Sequence, residues 1–172
     1  MIEEEIQGGK RKPDAETRQG EALRRGWTTG ACATAATKAA LMALISGEFP
    51  DPVMITLPKG ETPSFPLVRE KREQHMAMAA IVKDAGDDPD VTHGAIVWSQ
   101  VRLLEHGSGV VFKAGEGVGI VTKSGLPIAR GEPAINPVPR QMMRTVVEEI
   151  CAVHGISSDV EITIGIDRKS VV

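Results

Sequence analysis

Two segments of the chain carry apolar residues at helical spacing, and signals that start and stop helices bound both. Residues 29–47, TGACATAATKAALMALISG, are rich in strong helix formers, with Thr28 or Thr29 available as the N-cap and Gly47 as the C-terminal stop. In residues 139–154, apolar side chains recur every three or four positions, and the segment lies between Pro139 and Gly155. We predict a helix over each segment.

Shorter apolar runs between these helices are typical of β-strands. The predicted strands are residues 53–57, 65–68, 76–83, 95–104, 109–112 and 160–166, and residues 120–122 are expected to pair close by. The composition of residues 76–83 fits a helix as well, but the run is short and ends at Asp-Ala-Gly, which favours a strand. The element order indicates an α+β fold with a mixed β-sheet and two principal helices.

Composition narrows the class of protein. With 172 residues the chain is long enough for one domain with a core, and we place that domain at residues 25–172. Residues 1–24 are polar and show no hydrophobic period, so they are predicted to be a disordered leader. The 18 glycines and 11 prolines favour many turns over a helical bundle.

Charge and cysteine content exclude several partners and compartments. A net charge of −3 gives no general attraction for nucleic acid, and the sequence lacks the long apolar run of a membrane span or signal peptide. Cys32 and Cys151 have no CxxC partner, so free thiols in a cytoplasmic protein are expected.

The first candidate site is the segment Trp27-Thr28-Thr29-Gly30, which leads directly into the first helix. Backbone N–H groups at a helix N-terminus attract anions, and threonine hydroxyls add donors, so a phosphate or carboxylate could bind there. The alternative, which composition alone favours, is that the threonines only cap the helix. The spacing does not match a P-loop, because no Gly-Lys-Ser or Gly-Lys-Thr follows.

The second candidate site is residues 83–94, KDAGDDPDVTHG, where carboxylates crowd beside Lys83 and His93. The pattern lacks the alternating ligands and final glutamate of an EF-hand, and a single histidine without cysteine makes a poor zinc site. General acid–base chemistry by Asp87, Asp88 or His93 is one interpretation. A solvated acidic turn is the other.

The third candidate site is the glycine cluster of Gly115, Gly117 and Gly119. Glycines let a ligand approach the backbone closely, but a tight connection between strands explains them about as well. The spacing is not that of a dinucleotide-binding loop. Basic residues recur nearby, among them Lys123 and Arg140, and can serve an acidic small molecule or be ordinary surface charge.

Taken together, these segments resemble the CbiD family of cobalt-precorrin-5B C1-methyltransferases. The resemblance is carried, in order, by GWTTGACATAATKAA (26–40), LPKGE (57–61), VKDAGDDPDVTHG (82–94), GEGVGIVTKSGLP (115–127) and GEPAINPVPR (131–140). Members are about twice as long, so the chain corresponds to the N-terminal portion of a larger two-domain enzyme. The match is expected to fade after Ile162.

The resemblance implies transfer of a methyl group from S-adenosylmethionine to C1 of cobalt-precorrin-5B, giving cobalt-precorrin-6A in anaerobic cobalamin biosynthesis. Cobalt would enter only as part of the anionic corrinoid substrate, with no metal held by the protein. A homo-oligomer or contacts with pathway enzymes remain open. The implied roles are catalytic for Asp87, Asp88 and His93, cofactor-binding for Gly115, Gly117 and Gly119, and substrate-binding for Thr28, Thr29, Gly30, Lys83, Lys123 and Arg140.

Two other functions fit the same residues. A non-catalytic module could hold an anionic tetrapyrrole or scaffold a pathway partner. An enzyme acting on a phosphate ligand could use the threonine and glycine segments, and it would bind nucleotides without binding corrinoids.

Overall fold

The structure is a computed structural model that describes residues 26–84 and 94–168. The predicted leader, residues 1–24, lies outside the described residues. The elements are α1 (Thr29–Ser46), β1 (Val53–Met54), β2 (Ser64–Phe65), β3 (Arg69–Glu73), β4 (Met76–Val82), β5 (Ile96–Leu103), β6 (Val110–Ala114), α2 (Pro137–Val153) and β7 (Val160–Asp167). This confirms the α+β class, the mixed sheet and the two principal helices.

Strands β3 to β7 form a five-stranded sheet in the order β3-β4-β5-β7-β6. All neighbours are antiparallel except β6 and β7, which run parallel. The chain therefore crosses from β6 through α2 to reach β7, the ordinary route between parallel neighbours. Strands β1 and β2 pair separately as a short antiparallel ladder.

Helix α1 is the centre of the core. It packs on β4 and β5 on one side and on α2 on another. Ala36, Ala39 and Ala40 are fully buried, which lets the helix lie close to the sheet. The hydroxyl groups of Thr37 and Ser99 lie 2.8 Å apart inside this interface, so the buried polar pair satisfies itself.

The ends of α1 follow the sequence signals. The Thr28 side chain accepts a hydrogen bond from the Ala31 amide at 3.0 Å, and Gly47, with φ of 92°, donates its amide to the Ala43 carbonyl at 2.8 Å. Thr28 is therefore the N-cap. Helix α2 begins at Pro137, two residues before the predicted start.

Other boundaries differ from the sequence prediction. β1 and β2 are two residues each, β6 lies at Val110–Ala114, and residues 120–122 contribute only an isolated bridge between Ile120 and Pro133. Strand β3 was not predicted from the sequence. All five of its residues, REKRE, are charged and exposed, so the segment shows no alternation of apolar and polar positions.

The sequence was expected to hold no apolar run long enough to span a membrane, but helix α1 is long and apolar enough by composition alone, with a mean hydropathy of 1.2. However, 67% of that stretch is buried inside the domain. Packing in the core accounts for its apolar character.

At the edge of the sheet where β7 begins, Asp159 fixes the turn before β6. Its carboxylate accepts a hydrogen bond from the Gly109 amide at 2.6 Å and lies 3.7 Å from the His106 ring nitrogen. The Gly109 amide is the main reason that the pKa of Asp159 is lowered, and the Ser157 hydroxyl adds to the effect.

Candidate functional site

Three strands end together at one edge of the sheet. β4, β7 and β6 run in the same direction, because β5 is antiparallel to both β4 and β7 and β6 is parallel to β7. Ile96 is paired with both Val82 and Asp167, so the ends of β4 and β7 flank the start of β5. We call this the strand-end edge. With about 4.8 Å between neighbouring strands, it spans roughly 14 Å from β4 to β6.

Both helix N-termini lie at the strand-end edge. The Trp27 amide, just before α1, donates to the Asp84 carbonyl, just after β4, at 2.9 Å. A Cβ at Gly30 would lie 2.7 Å from the Pro139 side chain, so the first turn of α2 packs against the first turn of α1. The N-terminal N–H groups of α1, with their partial positive charge, therefore face the same region as the start of α2. The first turn of α2 adds the Val138 amide, since Pro137 and Pro139 have no N–H.

The segment Thr28–Gly30 lies at the start of α1 and contacts its own helix and α2. The Thr28 hydroxyl caps α1, Thr29 is half-buried, and Gly30 leaves room for Pro139. The Gly30 carbonyl also accepts a hydrogen bond from the Thr34 hydroxyl at 2.8 Å. These contacts explain Thr28 and Gly30 without a ligand, and they place the segment at the strand-end edge.

Lys83 lies directly at this edge. Its side chain is buried, and its backbone continues the β4–β5 hairpin through bonds to Ala95 at 2.8 Å and Gly94 at 2.7 Å. The segment with Asp87, Asp88 and His93 lies outside the described residues. Its described flanks, Asp84 and Gly94, are both at the strand-end edge.

Cys32, in the first turn of α1, is poorly suited to act as a nucleophile. Burial raises the pKa of its thiol to about 12, although nearby Lys83 acts in the opposite direction. The thiolate is the reactive form, so this cysteine is chemically inert near neutral pH.

The glycine cluster leaves β6 at the same edge and packs tightly against β7. The Gly115 amide donates to the Ile164 carbonyl at 2.8 Å, and the Ile166 amide donates to the Glu116 carbonyl at 2.7 Å. A Cβ at Gly115 would meet the Trp98 ring at 2.6 Å, and one at Gly117 would overlap the Ile166 carbonyl. Close packing in the sheet therefore requires glycine at both positions.

Gly119 differs from the other two glycines. A Cβ there would have no atom within 4 Å, and its carbonyl accepts a hydrogen bond from the Ala134 amide at 2.8 Å. This contact joins the glycine cluster to the segment that leads into α2. Gly119 is the member of the cluster for which packing gives no reason for glycine.

Arg140 holds that segment in place. Its guanidinium donates to the Ile135 carbonyl at 2.8 Å and to the Pro133 carbonyl at 2.7 Å, and lies 3.6 Å from the Glu132 carboxylate. The side chain is buried beside the Phe112 ring, 5.1 Å from its centroid. Two hydrogen bonds and an ion pair therefore tie the guanidinium to this segment.

The structure thus places Thr28–Gly30, Lys83 and the glycine cluster at the strand-end edge. Arg140 holds residues 133–135, which are hydrogen-bonded to Gly119. Lys123 lies on an exposed loop, and no contact described for it joins it to the others. Sequence analysis missed Trp98, which fills the space left by Gly115 and Gly165. A lone tryptophan within a strand, in a chain with so few aromatics, was the available signal.

Within residues 26–84 and 94–168, no three His, Cys, Asp or Glu side chains come together as a potential metal site.

Comparisons with known proteins show the family to which this chain belongs. The CbiD family model matches residues 16–170, nearly the whole chain, so the chain belongs to the CbiD family. The match begins within the predicted leader. It also continues past Ile162, so the expectation that the resemblance fades there was wrong.

Similar curated proteins carry the name cobalt-precorrin-5B C(1)-methyltransferase. One from Brucella anthropi is 62% identical over 154 residues, covering 90% of this chain and 42% of its own length. Another from Brucella ovis is 64% identical over 144 residues, covering 84% and 39%. The chain therefore spans about two-fifths of the length of these relatives.

A solved structure supports the fold. The cobalamin biosynthesis protein CbiD from Archaeoglobus fulgidus superposes with a TM-score of 0.58 at 28% identity. The match covers 83% of this chain and 44% of the other. The shared part is an α+β unit of a longer protein.

Proposed function

We propose that this chain provides part of the substrate cleft of a cytoplasmic corrinoid C1-methyltransferase. In the proposed reaction, S-adenosylmethionine methylates C1 of cobalt-precorrin-5B to give cobalt-precorrin-6A in cobalamin biosynthesis. The 62% identity to the Brucella anthropi protein of that name supports the reaction. The observation that carries the site is the meeting of two helix N-termini and three strand ends at one edge.

The strand-end edge suits an anionic substrate. Corrin precursors carry acetate and propionate arms, and carboxylates are stabilised by the N–H groups at helix N-termini. The N-terminal turn of α1 supplies these groups, the Val138 amide adds one from the adjacent start of α2, and Lys83 adds a positive charge beside α1. In this proposal the edge holds the arms and thereby orients the ring carbon.

The residues at the edge fit the methyl donor in part. Asp84 and Glu116 are exposed there, and carboxylates accept hydrogen bonds from hydroxyl and ammonium groups such as those of S-adenosylmethionine. Gly115 and Gly117 are occupied by packing, which leaves Gly119 as the glycine open to a ligand. When bound, the donor supplies a methyl group on a sulfonium, a good leaving group. The contribution of the protein is then mainly alignment.

Calorimetric titration of S-adenosylhomocysteine into the 172-residue chain tests the donor assignment. The full-length Brucella anthropi relative is the positive control. Saturable binding by both proteins would support a donor site at the strand-end edge. Binding by the longer protein alone would assign the donor to the region that this chain lacks, leaving a tetrapyrrole-holding module. Binding by neither would overturn the methyltransferase proposal.

A second test addresses the acidic segment. In the full-length relative, alanine at the position aligned with Asp88 or with His93 should lower the rate of methyl transfer by about 10²-fold or more, if these side chains orient reacting groups. The readout is single-turnover transfer of labelled methyl to the corrinoid. An unchanged rate for both variants would remove these residues from the site.

A further inference from the structure

An apolar groove runs along the outer side of the two helices. It has a volume of about 680 Å³ and lies between α1, α2 and residues 55–58. Met42 on α1, Ile55 and Leu57 beside it, and Met142 and Ile150 on α2 supply much of its apolar lining. Among the described candidate residues, Thr28–Gly30, Lys83 and the glycine cluster do not line this groove.

The groove continues onto exposed apolar side chains. Val153, one of its lining residues, is 82% exposed at the end of α2. Met54, next to Ile55, is 53% exposed. Single exposed apolar residues are ordinary, but an apolar groove that extends into such residues is typical of an interaction surface.

The charges around the groove do not suit the anionic corrinoid. Lys38 is the cation among its described lining residues, apart from any charge on His154, and the Lys38 ammonium donates to the Met54 carbonyl at 2.6 Å. Glu149 adds a carboxylate to the same lining. A substrate with several carboxylates needs more positive charge than this, whereas a largely apolar polypeptide surface does not.

The length of the relatives indicates the occupant. The match covers 42% of the Brucella anthropi protein and 44% of the Archaeoglobus fulgidus structure, so more than half of each lies outside the shared unit. In a longer protein of this family, an apolar groove on this unit offers a surface against which that remaining region can bury its own apolar side chains. The groove lies on the two helices and is apolar, so it can take a polypeptide surface. A polypeptide bound there would not cover the strand-end edge, where the ligand is proposed to bind.

We propose that this groove is the docking surface for the region of CbiD proteins that lies outside the part matched by this chain. The occupant is an apolar helix or strand of that region, and its side chains fill the space between α1, α2 and residues 55–58. This interface is separate from the chemistry at the strand-end edge, so it can be tested without any substrate or methyl donor.

Cysteine labelling gives a direct test. Val153→Cys in this chain should react with a maleimide at the rate of the exposed control Ser108→Cys. In the full-length Brucella anthropi relative, cysteine at the position aligned with Val153 should react at least about tenfold more slowly, while the position aligned with Ser108 keeps its rate. Both positions are exposed here, so neither change should disturb folding. The native Cys32 and Cys151 are fully buried and contribute little background.

Two outcomes would overturn the proposal. One is equal labelling at the Val153 position in the short and the full-length protein, which would leave the groove uncovered. The other is concentration-dependent protection of Val153→Cys in this chain, which would assign the groove to a second copy. Neither result depends on whether the protein transfers methyl groups.

Discussion

Replacing Gly117 by alanine is the sharpest test of how the glycine cluster is built. Gly117 has φ of +80°, and an added Cβ would overlap the carbonyl of Ile166 on β7. An L-residue in the left-handed region costs about 1–2 kcal/mol, and overpacking against the backbone costs about 1–3 kcal/mol. The more restricted unfolded chain offsets about 0.4–1 kcal/mol of this. We expect a net loss of about 2–4 kcal/mol, a large part of the stability of an ordinary domain.

Gly119→Ala is the matched control two residues away. Its Cβ would meet no atom within 4 Å, so the free energy of unfolding should change by no more than about 0.5 kcal/mol. Urea unfolding of both variants is followed by circular dichroism and by tryptophan fluorescence, since Trp98 lies against Gly115. At about 2 kcal/mol per molar urea, Gly117→Ala should lower the midpoint by about 1–2 M.

The result that would refute this reasoning is a Gly117→Ala midpoint within error of the wild type. The glycine would then be needed for a ligand and not for packing against β7. Gly119, in contrast, is proposed to serve the ligand and not the packing of the sheet. Its alanine variant should retain stability and weaken binding of S-adenosylhomocysteine, if the donor approaches this backbone.

Two further predictions concern buried polar contacts. Because the pKa of Asp159 is lowered in the folded state, its contribution to stability is present above the ordinary carboxyl pKa and is lost as the pH falls through the folded value. The urea midpoint of the wild type should therefore fall more than that of Asp159→Asn between about pH 5 and pH 2, and parallel curves would contradict the assignment. Arg140→Ala should lower the free energy of unfolding by about 1–3 kcal/mol, because two carbonyls lose their donor, with Lys123→Ala as the exposed control. Equal thermal midpoints for the Arg140 and Lys123 variants would show that the guanidinium contacts do not stabilise the fold.

The sequence allowed the helices and the central strands to be predicted because their signals are local. Thr28 and Gly47 have the residue types that cap a helix, and both serve as caps. Buried strands such as β4 and β5 show apolar runs that an exposed edge strand does not need. Strand β3 escaped notice for that reason, since its pairing with β4 depends on backbone bonds and not on buried side chains.

The grouping of the candidate residues could not be predicted in the same way. Lys83 and Gly115 are separated by two strands in the sheet, and they share an edge only because β7, the last strand, inserts between β5 and β6. That insertion depends on contacts between residues far apart in the chain, such as Ser99 with Ile164. No local pattern in the sequence encodes them.

The interpretation of individual residues changes once packing is known. Gly115, Gly117 and Arg140 are among the most prominent residues of the motifs, yet each has a structural partner that explains it: the Trp98 ring, the Ile166 carbonyl, and the carbonyls of residues 133 and 135. These residues fix the shape of the strand-end edge. In the proposed function, ligand contacts come from groups that packing leaves available, namely the N-terminal turn of α1 and the open position at Gly119. A rigid scaffold that presents a few open groups is the arrangement that aligns two reactants for group transfer.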